Sequence, residues 1–139
     1  MTIDANVRWV KDLQFVGRAG DGPGVIIDST KGASGATPME LLLMGVAGCT
    51  AIDVVLIMEK KRAHLTNFEV NITGHKAETE PQRYTDIEIE YVLTGENIKP
   101  KGVEQAIALS EDKYCSALAS INASVTHSYR IESAVEASG

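Results

Sequence analysis

Two cysteines, Cys49 and Cys115, are the side chains in this 139-residue chain whose types and surroundings suggest covalent chemistry. Cys49 lies in the middle of an almost entirely apolar run from Leu41 to Met58, where a free cysteine is commonly just a small apolar side chain. If the elements that carry the two thiols pack together, one thiol could be oxidised and the other could resolve the product as a disulfide. Two separately buried thiols are the alternative, and the residues alone leave both open.

Asp53 follows Cys49 by four residues, which puts both side chains on one face of a helix. Because an unpaired buried carboxylate is expensive, we expect Asp53 to bind a cation or a backbone donor. Its charge would disfavour ionisation of a nearby thiol, so activation of Cys49 needs a cation. Arg18, in a glycine-flanked loop, is the candidate, and a solvated loop arginine is an equal alternative. Lys113, two residues before Cys115, is the second candidate.

The element that must position Cys49 is a long helix predicted over residues 37–62. Thr37 suits the N-cap, Pro38 suits the first helical position, and Glu40 completes a capping box. The cations at residues 60–62 suit the negative end of the helix dipole. These signals predict a helix with defined ends and the thiol halfway along it.

The apolar run in this helix is long enough to raise the question of a membrane span. Glu40 and Asp53 interrupt it and two glycines weaken it, so we predict a buried core helix instead. A helix that is apolar nearly all round, in a chain this short, predicts a second subunit that covers the side its own sheet leaves open. Gly45 and Gly48 would permit close helix–helix approach. Cover by other helices of the same chain is the alternative.

Alternating and helical periodicities predict the remaining elements. They are an N-terminal three-stranded meander over residues 1–30, a hairpin over 67–94, a second helical region over 100–121 and a C-terminal strand over 123–133. In the second helical region, a helix opens at Pro100 and runs to about Lys113, and a short helix follows over 117–121. This order is typical of an α+β protein, with one domain over residues 1–139.

Composition excludes several classes of function. A net charge of −6 argues against a nucleic-acid partner or an acidic membrane surface, since both need a basic patch. Two cysteines are too few for a secreted disulfide framework, and with no signal-peptide pattern we expect a cytoplasmic location. The histidines have no metal-ligand spacing with a cysteine, and His127 is interpreted as a structural residue of the last strand.

Three motifs together resemble the OsmC/Ohr family, and most closely an OsmC-like branch of it. The first, in the long helix, is Thr37-Pro38-Met39-Glu40-Leu41-Leu42 followed by Gly48-Cys49-Thr50-Ala51-Ile52-Asp53-Val54-Val55. The others are Asp112-Lys113-Tyr114-Cys115-Ser116 and Thr126-His127-Ser128-Tyr129. The resemblance spans nearly the whole chain in the right order.

The resemblance implies the OsmC-like fold: antiparallel sheets around a long buried central helix, in an intertwined homodimer with swapped N-terminal strands. It implies that a small hydrophobic hydroperoxide oxidises Cys49 to a sulfenic acid and that Cys115 condenses with it to a disulfide. A dithiol then reduces the protein. No metal or flavin takes part, and no nucleic-acid or membrane partner is expected.

One position departs from the family pattern. Family members carry a glutamate directly after the proline at the start of the helix, and it pairs with the active-site arginine, to which Arg18 corresponds loosely. Here that position is Met39. Glu40 comes one place later, nine residues before Cys49 and so about 180° around the helix from the thiol. The alternative function is therefore a small-molecule-binding or redox-sensing dimer with little peroxidase turnover.

Overall fold

A computed structural model of the chain describes residues 1–133 and shows an α+β protein, as predicted; residues 134–139 of the predicted domain lie outside this range. The strands are β1 (Ala5–Lys11), β2 (Gln14–Ala19), β3 (Val25–Ile27), β4 (His64–Lys76), β5 (Tyr84–Glu96) and β6 (Ser124–Ser133). The helices are α1 (Pro38–Lys60), α2 (Pro100–Leu109) and α3 (Ser116–Ala119), with a π-helical turn, Ser110–Tyr114, between the last two.

Met1–Leu42 forms a first compact unit, whose sheet is the predicted antiparallel meander in the order β1-β2-β3. Asp12, in the turn between β1 and β2, has a φ of 48°, a backbone conformation that aspartate tolerates better than most residues. All of β1 is exposed, and Trp9 keeps 64% of its surface accessible. The meander therefore presents an apolar strand to its surroundings.

The start of α1 confirms the capping box. The backbone N–H of Thr37 donates to the Glu40 carboxylate at 2.8 Å, and the Glu40 N–H donates to Thr37 Oγ1 at 3.2 Å. The helix ends at Lys60 rather than at the predicted residue 62. Arg62 has a φ of 63°, a left-handed conformation that cannot continue a right-handed helix.

The second unit, from Leu43 onward, holds a sheet in the order β4-β5-β6. β4 and β5 pair antiparallel as expected, but β5 and β6 pair parallel, so the expectation of purely antiparallel sheets is wrong for the last strand. The reason lies in the connection: α2 and α3 form a crossover that carries the chain back to the end of the sheet where β5 began. This crossover places the residues between α2 and α3 over the sheet.

The core of the second unit lies between the sheet and the helices. Its members share near-complete burial: Val46, Thr50, Val54 and Met58 of α1, Ile87, Ile89, Tyr91 and Leu93 of β5, and Val103, Ala106 and Ile107 of α2. The α1 residues recur every four positions and the β5 residues every two, which are the periods of one helix face and one sheet face. Local periodicity thus determines which sides of α1 and β5 enter the core.

The opposite side of α1 is exposed in the part of the chain that the structure describes. Met44, Ile52 and Leu56 lie on it, and the expectation that a second subunit covers this side stays a prediction. By length and composition alone α1 could cross a membrane, a test that core helices also pass. The row of buried residues along α1 shows that one face packs against protein.

The predicted second helical region, residues 100–121, consists of two helices in the structure, and its first helix is shorter than expected. α2 ends at Leu109, a wider π turn follows, and Cys115 is extended, with φ −74° and ψ 97°. The Cys115 N–H donates to the Ser110 carbonyl at 2.7 Å, a five-residue step that defines the π turn. The break places Cys115 outside α2, in an extended conformation at the N-cap of α3.

Replacement of Ile107 by alanine tests the contribution of α2 to this core. Ile107 is fully buried, so Ile107→Ala should lower the free energy of unfolding by about 2–5 kcal/mol through lost burial and a cavity. Leu109→Ala, on the same helix with Leu109 39% exposed, is the matched control and should cost distinctly less. Chemical denaturation measures both, and equal losses would contradict the packing described.

Candidate functional site

α1 supplies three neighbouring polar or reactive side chains to the candidate site: Cys49, Thr50 and Asp53. Thr50 belongs to the buried row and faces the sheet, whereas Cys49 and Asp53 are partly exposed beside it. Asp53, for which the sequence predicted a cation or a backbone donor as partner, pairs with a side-chain hydroxyl in the structure. Its Oδ2 accepts a hydrogen bond from the side-chain hydroxyl of Ser110 at 2.9 Å.

The two thiols lie close together in the structure. Cys115 is 4% exposed, both cysteines are free, and Cys49 lies close enough to raise the pKa of the Cys115 thiol. Burial raises the pKa of Cys115 to about 11; the Leu118 backbone amide opposes the shift, while Cys49 and the charge of Asp53 add to it. Cys115 therefore keeps its proton at neutral pH and can donate it towards the more accessible Cys49.

A continuous hydrogen-bonded chain runs from Asp53 through the core to the surface. Its side chains, in order, are Asp53, Ser110, Thr50, Tyr91, Glu111 and His127. After Asp53–Ser110 the oxygen–oxygen distances are 2.7 Å for Ser110–Thr50, 2.9 Å for Thr50–Tyr91 and 2.6 Å for Tyr91–Glu111. The last contact joins Glu111 Oε1 to His127 Nδ1 at 3.1 Å.

Tyr91 is the middle of this chain and is fully buried. Burial, followed by its hydrogen bond to Glu111, raises the pKa of the phenol well above its usual range, so the hydroxyl remains protonated and donates to the carboxylate. The His127 ring also meets the Tyr91 ring edge-on, with centroids 6.5 Å apart. His127, expected to be only a structural residue of β6, is the exposed end of the polar chain.

The two candidate cations belong to different units. Arg18 is an exposed residue of β2 in the first unit, where it pairs across the sheet with Asn6. Its role towards Cys49 stays a prediction. The Lys113 ammonium lies 5.2 Å from the centre of the Tyr114 ring, at the exposed end of the π turn. Residues 1–133 contain no group of three or more His, Cys, Asp or Glu side chains placed to hold a metal ion.

Four residues of the polar chain were not predicted from the sequence as members of the site: Thr50, Tyr91, Ser110 and Glu111. A signal for three of them was present, because each occupies a core-facing position in an otherwise apolar pattern. Thr50 lies midway between the buried Val46 and Val54, and Ser110 follows Ile107 by one helical turn. Buried polar side chains need partners, so three of them in one small core predict a network.

Fold and site together define an α+β protein with a redox-capable pair of thiols at the side of a long core helix. A family model described as OsmC-like protein matches residues 30–130. Protein YhfA of Escherichia coli K12 is 37% identical over 134 residues, which cover 95% of this chain and 100% of YhfA.

Solved structures agree with the family assignment. A hypothetical protein from Aquifex aeolicus VF5 has a TM-score of 0.81 and 30% identity, with 95% of this chain and 98% of that chain covered. The organic hydroperoxide resistance protein OhrB of Bacillus subtilis has a TM-score of 0.63 at 14% identity, covering 94% of this chain and 98% of that chain, which shows a shared fold. The chain belongs to the OsmC-like family, and the resemblance found in its motifs is confirmed.

The unequal environments of the thiols predict ordered alkylation. At neutral pH iodoacetamide should label Cys49 before Cys115, because only the thiolate reacts and Cys115 is protonated and buried. With its pKa raised from 9.0 to about 11, Cys115 should react roughly 100-fold more slowly than in the unfolded chain, and faster as pH rises towards that value. Peptide mass spectrometry measures both sites, and earlier labelling of Cys115 would contradict the arrangement.

Proposed function

We propose that this protein reduces organic hydroperoxides through a two-cysteine cycle. The observation that supports the proposal is the proximity of the two thiols, in which the partly exposed Cys49 lies close to the buried, protonated Cys115. A pair in contact can form a disulfide with little movement of the backbone. Family membership and a structural neighbour named for organic hydroperoxide resistance support a redox-related role.

The cycle has three balanced steps. The Cys49 thiolate attacks one oxygen of ROOH, the O–O bond breaks, and the alkoxide takes up a proton to leave as ROH. Cys49 is now a sulfenic acid. The Cys115 sulfur attacks it, an S–S bond forms, and the hydroxyl departs with the Cys115 proton as water. A dithiol then reduces the disulfide by exchange and leaves as a disulfide itself.

Ionisation of Cys49 is the step that needs help, because Asp53 disfavours a negative charge nearby. We assign this help to the guanidinium of Arg18, with Lys113 as the second candidate. A fixed positive charge would lower the pKa of the thiol and could also hold a peroxide oxygen. The proposed setting is cytoplasmic, where a dithiol reductant is available, with neither nucleic acid nor membrane as a partner.

The alternative is a small-molecule-binding or redox-sensing dimer with little turnover. The observation that favours it is the helix start, where Met39 stands at the family's glutamate position. Glu40 is committed to the cap, since its carboxylate accepts the Thr37 amide, and this bond lowers the pKa of Glu40. Glu40 therefore does not replace the carboxylate that would orient Arg18.

Consumption of cumene hydroperoxide with a dithiol distinguishes the two functions. We expect Cys49→Ser to reduce the rate to that of the uncatalysed reaction, and Cys115→Ser to retain one oxidation of Cys49 without disulfide formation. Ser116→Ala, at an exposed neighbour of Cys115, is the matched control and should retain the parent's rate. If parent and Cys49→Ser consume peroxide equally slowly, the peroxidase proposal fails. A ligand retained in native mass spectrometry would then favour the alternative.

A homodimer is the second part of the proposal. Each unit exposes large apolar side chains: Val7, Trp9 and Val10 on β1, and Met44, Ile52 and Leu56 on α1. Added Cβ atoms at Gly45 and Gly48 would meet nothing within 4 Å, which leaves room for another helix to approach. Exposed apolar surface of this extent is typical of an interaction site, and swapped N-terminal strands with packed α1 helices would cover it.

Light scattering tests the dimer. The parent should have twice the 14.9 kDa chain mass at micromolar concentration, and Ile52→Glu should shift it towards the monomer by placing a charge in the apolar contact. Lys101→Glu, on the exposed side of α2, is the control and should leave the mass unchanged. A monomeric parent would overturn this part of the proposal.

A further inference from the structure

The polar chain beneath the thiols contains more hydrogen bonds than hydroxyl protons. Three hydroxyls, those of Ser110, Thr50 and Tyr91, lie in series between the carboxyl groups of Asp53 and Glu111. They make four oxygen–oxygen contacts of 2.6 to 2.9 Å, all within hydrogen-bond range. Each hydroxyl has one proton to donate, so three protons are available for four bonds when both carboxyls are ionised.

The lack of a fourth proton would cost free energy. With both carboxylates charged, Tyr91 donates to Glu111, Ser110 donates to Asp53, and Thr50 can donate to only one of its two neighbours. The remaining pair of oxygens would then face each other at under 3 Å with no hydrogen between them. All three hydroxyl residues are fully buried, so solvent does not relieve that contact.

We propose that Asp53 and Glu111 share a fourth proton through these hydroxyls, and that the chain is a proton path between Asp53, whose charge acts on the thiols, and His127 at the surface. Two arrangements satisfy all four bonds, and each is the reverse of the other. In one, Asp53 is protonated and every hydroxyl donates towards Glu111. In the other, Glu111 is protonated and every hydroxyl donates towards Asp53.

Transfer between the two arrangements carries one proton from one carboxyl to the other. Each hydroxyl still has one proton afterwards, and each oxygen–oxygen contact still has a hydrogen between its atoms. Glu111 gives its proton to Tyr91, Tyr91 to Thr50, Thr50 to Ser110, and Ser110 to Asp53. Nothing is oxidised, and the net charge of the chain is unchanged. His127 contacts Glu111 and is exposed, so this end can exchange protons with solvent.

The position of the proton alters the electrostatic environment of the thiols. Asp53 is close enough for its charge to act on Cys115, which itself contacts Cys49. With the proton on Asp53, the thiols lie beside a neutral carboxyl; with the proton on Glu111, they lie beside a negative charge that disfavours a thiolate. The path therefore links the protonation of Glu111, which contacts the exposed His127, to the reactivity of Cys49.

Infrared difference spectroscopy detects the shared proton directly, since a protonated carboxyl has a C=O stretch that a carboxylate lacks. The parent should show one such band at neutral pH, and Thr50→Val should lose it, because two hydroxyls then serve two bonds with both carboxyls ionised. Tyr91→Phe also leaves two hydroxyls for two bonds and should lose the band as well. Thr73→Val, at an exposed strand position, is the control and should retain it.

The rate of Cys49 alkylation is a second readout. A network with only a structural role would not give the order of rates expected below. In Asp53→Asn the amide donates to Ser110 and no charge remains beside the thiols. In Glu111→Gln the amide donates to Tyr91, and the negative charge is held on Asp53. Cys49 should therefore react faster in Asp53→Asn than in Glu111→Gln, on the order of tenfold, with the parent between them.

Two results would overturn the proposal: a parent without a protonated carboxyl band at neutral pH, or a band that persists in either Thr50→Val or Tyr91→Phe. Equal alkylation of Cys49 in Asp53→Asn and Glu111→Gln would refute the link to the thiols. The shared proton does not require that peroxides are the substrate. A failed peroxide assay with the infrared band present would reject the peroxidase and retain the proton path.

Discussion

One buried hydroxyl, that of Thr50, joins the three elements on which the rest of the structure depends. It bonds α1 to β5 through Tyr91 and to the end of α2 through Ser110. A fully buried polar group must find its partners, so these bonds limit how far α1 can rotate about its own axis. The apolar contacts along α1 would tolerate a small rotation of the helix, whereas the hydrogen bonds of Thr50 would not. The side of the helix on which the neighbouring Cys49 lies is fixed as a consequence.

The π turn complements this constraint from the other side. A regular continuation of α2 would have carried Cys115 round the helix by about 100° per residue. The wider turn instead keeps Ser110 facing Thr50 and releases Cys115 into an extended conformation against Cys49. Single π turns are frequently found at functional sites, and here the turn separates two tasks: Ser110 belongs to the buried network and Cys115 to the thiol pair.

The electrostatic surroundings of the thiols affect their ionisation. Burial and the nearby carboxylate both stabilise the neutral form of Cys115. In the proposed cycle, the positive charge that favours ionisation of Cys49 comes from outside the polar chain, and the protonation state of Asp53 sets the opposing charge beside the thiols.

The sequence by itself determined the local features. The capping box sets the start of α1, four-residue and two-residue periods set the buried faces of α1 and β5, and three motifs identified the family. These signals act between residues close in the chain, where helix and strand geometry alone relates positions to one another.

Only the tertiary structure decided how distant residues meet. The parallel pairing of β6 with β5 joins residues that are far apart in the chain. The chain from Asp53 to His127 depends on contacts across 41 residues for Thr50–Tyr91 and 60 for Thr50–Ser110. No local period encodes such a contact, because its partner is chosen by the packing of whole elements. Thus Cys49 could be singled out as a candidate reactive thiol from its surroundings in the chain, while the polar network beside it became visible only when helix, strand and turn were assembled.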